Sequence, residues 1–216
     1  MAHKASSTEK MMKIRGVVRV QGRGKGRGSA FGCLLSPRSQ MEFDSVTLDL
    51  FNTFGARFSA CEQYRYTLWR TWSEEPPAAF VMLNPSTADE SENDPTVERC
   101  QRRAMAMGYG GLKVANIFAL RSTDPKVLHA HPDPVGPDND EAILEVVAGA
   151  GIVICAWGVD GKLQDRGAQV VQMLRASGAD PHYLDLNSDG SPKHPLYVSY
   201  EMTPKRWLSS LDAIQR

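Results

Sequence analysis

The sequence predicts an α/β fold of three layers, with a central four-stranded parallel sheet and helices on both of its faces. Two observations predict it. The segments "AAFVML" (78–83), "LKVANIFAL" (112–120) and "GIVICAW" (151–157) are apolar almost throughout, as strands are in a sheet covered on both sides. Helical patterns separate them and lead to a fourth strand, "PHYLDL" (181–186), so strand and helix alternate along the chain.

Each element has its own signal. "TLDLFNTF" (47–54) and "RYTLWRTW" (65–72) alternate apolar and polar residues, which predicts strands or a hairpin leading into the core. "DPTVERCQRRAMAMGYGG" (94–111) opens with Asp-Pro and carries Val97, Cys100, Ala104 and Met107 at helical spacing. Gly108 stops that helix. "PDNDEAILEVVAGA" (137–150) has acids in its first turn, where they complement the helix dipole. "RGAQVVQMLRASG" (166–178) predicts a third helix ending at Gly178. His129 and His131 read as loop residues without a role.

Composition sets the class. Hydrophobic content of 42% and charged content of 23% are those of an ordinary globular domain. The apolar runs fall short of a membrane span and no charged-then-apolar leader opens the chain. Cys33, Cys61, Cys100 and Cys155 lack C-x-x-C spacing, so reduced thiols in a cytoplasm are expected, with no metal and no cofactor.

Zero net charge conceals an asymmetry. Residues 1–40 carry nine Lys or Arg against Glu9 alone, a net of +8, which leaves −8 for 41–216. "RVQGRGKGRGS" has too little apolar material to repay ordering, so 1–40 reads as a flexible basic tail ahead of a single domain, 41–216. The tail reads either as an arm for nucleic-acid phosphates or as a dispensable extension ahead of a start at Met41.

In open α/β sheets, ligands bind beyond the carboxyl ends of the strands. Four polar segments are predicted there: "NPSTAD" after the first buried strand, Asn116 on the second, "WGVDG" after the third and "SDGSPKHPLY" after the fourth. A buried Asn116 needs a partner, and a side-chain amide can pair with the edge of a base.

These residues resemble the uracil-DNA glycosylase superfamily. "MLNPS" is similar to the Asn-Pro motif of its mismatch-specific branch, "VICAWGVDG" to the third-strand segment, and "KHPLY" to the His-Pro loop after the last strand. The match runs over roughly 78–200. The chain looks closer still to a bacterial and phage domain family with the signature "LNPSTAD…NIFALRSTDP…AWG…HPLY". Two departures stand out: Ser86 and Thr87 replace the usual tyrosine or glycine, and Leu196 replaces the serine after His194-Pro195.

What the resemblance implies is a uracil-DNA glycosylase-like fold and a monofunctional glycosylase that leaves an abasic site, with DNA as partner and a monomer expected. The departures shift the expected substrate from uracil to a damaged or modified base, such as glucosylated hydroxymethylcytosine of phage DNA, in antiviral defence. The implied catalytic residues are Asn84, which orients the water, His194, which donates to the departing base, and Asp89, which supplies a base. Asn84→Asp is then expected to restore a true general base. Pro85, Ser86, Thr87, Asn116, Arg121 and Trp157 are the implied substrate-binding residues, with Arg121 meeting a phosphate or pairing with Asp124. Lys193, Leu196 and Tyr197 are the implied DNA contacts, the last two as a wedge that holds the duplex open. Two other classes stay open: a small-molecule enzyme acting on nucleotides, and a non-catalytic nucleic-acid-binding module.

Overall fold

The computed structural model describes residues 53–86, 88 and 92–208. The basic segment 1–40, the boundary at 41 and most of the expected strand 47–54 lie outside the described residues, as do Thr87 and Asp89.

Strands β1 (Phe54–Phe58), β2 (Arg65–Thr71) and β3 (Pro77–Met82) precede helix α1 (Pro95–Ala106). After them come β4 (Gly111–Asn116), α2 (Pro125–Ala130), α3 (Asn139–Val147), β5 (Ile152–Ala156), α4 (Arg166–Ala176), β6 (Pro181–Tyr183) and β7 (Lys205–Arg206). One sheet of seven strands takes the order β1-β2-β4-β3-β5-β6-β7.

The sheet is larger and more mixed than the expected four parallel strands. β3 pairs in parallel with β4 and β5, and β5 with β6. Antiparallel pairs extend the sheet on both sides: β1 with β2, β2 with β4, and β6 with β7. The alternating "RYTLWRT" forms an antiparallel hairpin with β1 and leads into the core by pairing with β4. β7, only Lys205–Arg206, is too short and too charged to announce itself. His129 lies within α2 rather than in a loop, where Asp124 caps the helix by accepting from Lys126 N–H.

Period-two alternation sends the apolar residues of the inner strands to both faces. On one face Ala78, Phe80, Met82, Leu112, Val114 and Ile154 pack with Val97, Cys100 and Ala104 of α1. The other face carries Ala79, Val81, Ala115, Val153 and Cys155 against Ile143 and Val146 of α3 and Val170 and Leu174 of α4. Each large side chain buried there contributes about 1.5–3 kcal/mol by leaving water. Burial pushes the Cys100 and Cys155 thiols up, so both are inert packing groups.

This order fixes where a ligand can sit. β3 continues into α1 on one face of the sheet, whereas β5 continues toward α4 on the other. The two chains therefore diverge beyond neighbouring parallel strands, the place where open α/β sheets take ligands. Met82 and Ala156 are the last paired residues of β3 and β5, and Asn84 and Gly158 lie two residues beyond them.

Candidate functional site

The first wall of this strand-end region is the β3 end. The Asn84 amide donates to the carbonyls of Pro85 at 3.2 Å and Ser122 at 2.7 Å, and Ser122 N–H donates back to the Pro85 carbonyl at 3.0 Å. This reciprocal tie locks the segment after β3 to the one after β4. Both amide hydrogens of Asn84 are thereby committed to carbonyls. Its oxygen is the part of the side chain left to hold a water.

Asn116 closes β4, and the expected long strand 112–120 bends after it. Ile117 and Phe118 N–H still follow β3, donating to Met82 and Leu83 carbonyls at 2.8 and 2.9 Å. Asn116 is 2% exposed, yet its Nδ2 has no hydrogen-bond partner among the described residues. Its main chain is pinned from behind: buried Asn139 donates to the carbonyls of Asn116 and Ile117, and buried Arg166 donates to Ile117. Arg166 also pairs with Asp140. Asn139 and Arg166 stand at the starts of α3 and α4, and nothing in their sequence context announces that role.

The second wall is the His-Pro loop. Gly158, at φ +78°, donates its N–H to the Pro192 carbonyl at 2.8 Å, which draws the loop against the end of β5. A glycine suits this left-handed turn because a side chain would strain it. Lys193 donates through its backbone to Asp185 at 2.8 Å and through Nζ to the Asp185 carboxylate at 2.5 Å. That lysine holds Asp185 below the usual carboxylate range. On the same loop Asp189, depressed by Lys162 and Ser191, pairs with Lys162 at 2.8 Å.

His194 opens a 3₁₀ turn, Pro195–Tyr197, and its Nδ1 accepts Leu196 N–H at 3.5 Å. A backbone N–H can only donate, so this contact leaves Nε2 as the nitrogen free to carry the proton of a neutral ring. Burial holds the imidazole below its ordinary pKa, and the nearby charge of Asp94 opposes that shift. Asp94 itself caps α1, accepting from Thr96 and Val97 N–H at 2.9 and 2.8 Å. Beyond His194 the chain turns outward: Leu196 is 38% and Tyr197 81% exposed, and the tyrosine ring lies 6.0 Å from the imidazole.

The remaining predicted residues fall elsewhere. Ser86 and Arg121 line an open cleft of about 730 Å³ with Glu62, Ser122, Asp124 and His131. Arg121 donates to the Glu62 carbonyl at 3.1 Å and lies over the Phe58 ring at 4.9 Å, and it is this contact rather than a pair with Asp124 that fixes it. Pro85 is buried beside Asn84. Trp157 is 3% exposed in the core under α4, 5.8 Å from the Trp207 ring, and a Cβ at Gly161 would come within 2.1 Å of its indole. The small residue at 161 exists to admit that ring.

Two arginines were not foreseen. Arg65, 2% exposed, donates to the Ala88 carbonyl next to Asp89, so a buried cation anchors the segment after Asn84. Arg103 is also buried and donates to the carbonyls of Val198, Ser199 and Met202 behind the His-Pro loop. Nothing in the pattern announces either residue, because the main-chain carbonyls they meet have no sequence signature.

A search of curated proteins and a search of solved structures each return no match. A family model does match residues 65–196, a span running from β2 through Asn84 and Asn116 to His194 and Leu196. The chain belongs to the family described as "Protein of unknown function (DUF1643)".

Proposed function

We propose that this chain is a monofunctional DNA glycosylase that hydrolyses the N-glycosidic bond of a damaged or modified base. The observation that carries the reading is Asn116. A buried amide donor without a partner costs about 1–3 kcal/mol unless something fills the vacancy. In this reading, the edge of a base is the matching acceptor.

The rest of the chemistry follows from the two walls. Cleavage leaves an oxocarbenium-like sugar and an anionic base. The Asn84 oxygen orients a water toward the sugar carbon, and Nε2–H of neutral His194 donates to the base as its charge grows. An amide is not a proton acceptor of useful strength, so water activation by Asn84 alone is slow. Leu196 and Tyr197 stand next to His194, where they can occupy the gap left by an extruded nucleotide. A small-molecule enzyme would not need such a wedge, so Tyr197 separates the two readings.

The substrate we favour is a modified base of phage DNA, glucosylated hydroxymethylcytosine among the candidates, because Ser86, Thr87 and Leu196 depart from the motifs of the resembled family. The purified protein should be incubated with modified and unmodified DNAs, scoring alkali-labile sites and free bases by mass spectrometry. Abasic sites in at least one modified DNA are expected. Intact glycosidic bonds throughout would end the proposal.

A further inference from the structure

Arg99 of α1 grips the chain on both sides of the exposed pair. Its Nε donates to the Pro195 carbonyl at 2.8 Å and its Nη2 to the Val198 carbonyl at 2.6 Å, so the two acceptors bracket Leu196 and Tyr197. One turn further along α1, Arg103 takes the Val198 carbonyl from behind at 2.7 Å. The Tyr200 ring covers both guanidiniums, at 4.3 Å from Arg99 and 5.0 Å from Arg103.

We infer that Arg99 is a positioning residue that holds Leu196 and Tyr197 projected as a rigid wedge into a nucleic-acid duplex. The inference rests on the glycosylase reading of the same site. Two apolar side chains on an untethered loop would fold back onto the protein surface. A planar guanidinium with donors at fixed angles prevents this by holding both carbonyls at once, a geometry that an ammonium cannot reproduce. The bonds come from the rigid first half of α1, whose N-terminus Asp94 already caps. Helix and tip therefore act as one body, and insertion of the pair adds no ordering cost at the moment of binding.

The test uses the full chain and a DNA duplex carrying 2-aminopurine at a mismatch, whose fluorescence rises when the base leaves the stack. Wild-type protein should raise the signal, and Tyr197→Ala should abolish the rise. Arg99→Gln, with an unchanged circular dichroism spectrum, should lower the fraction unstacked at sub-saturating protein by about tenfold. If Arg99→Gln does not fold, Arg99→Lys serves, because it keeps the charge and loses the fork; the same loss is expected. A folded Arg99 variant that unstacks as wild type does, or a wild type that never unstacks, overturns the inference. Unstacking without base release from any DNA sinks the glycosylase reading and leaves Arg99's role standing.

Discussion

The Asn84 side-chain amide and the Ser122 carbonyl are 2.7 Å apart, with the amide donating. This contact bears on what an aspartate would do at this position. An aspartate at 84 would bring a carboxylate against two carbonyl oxygens in place of two donors. Asn84→Asp should therefore be less stable than Asn84→Ala, by about 1–3 kcal/mol on top of the loss that both share. Urea denaturation of the two variants checks the order. An aspartate variant at least as stable as the alanine one would show that the tie to Ser122 is not what selects asparagine.

Burial lowers the pKa of His194, and Asp94 opposes the shift. The unfolded chain then takes up the proton first as pH falls. The contribution of His194 to stability is intact above the ordinary histidine value of about 6.5 and is lost as pH drops from there toward the folded value. Asp94→Asn keeps a good helix cap and removes the opposing charge, so it should move the His194 titration to lower pH. Following the ring by NMR decides it. A shift to higher pH would mean that Asp94 does not act on this imidazole.

Lys193 is held by Asp185 at 2.5 Å, which limits what it can offer a phosphate. If Lys193 faces DNA, Asp185→Asn should release it, tighten binding and steepen the salt dependence of log K by about 0.9. Binding titrations from low to moderate salt measure this. An unchanged slope would remove Lys193 from the DNA surface.

Sequence pattern carried the inner strands and three of the helices because apolar runs and caps are local signals. Phe80, Val114 and Ile154 are buried where their strands predict, and Asp94 caps α1 as Asp-Pro predicts. β7 and α2 were not legible. The former is two charged residues recruited by β6, and the latter is a single short helix read as loop. The site was half legible. Asn84 and Asn116 stand at the ends of β3 and β4 because strand ends follow from the pattern, and His194 sits on the loop beyond β6, whereas Trp157, after β5, turned into the core between Gly161 and Trp207. Arg65, Arg99 and Arg103 act on backbone carbonyls far away in sequence, and no spacing rule encodes such partners.

The most direct test of the site is single-turnover base release by wild type and by His194→Ala on a DNA that the wild type cleaves. Removing one preorganised donor to the departing base should slow the bond-breaking step by about 10²–10³-fold, with DNA affinity and circular dichroism unchanged. A folded His194→Ala protein that releases the base at the wild-type rate would contradict the account.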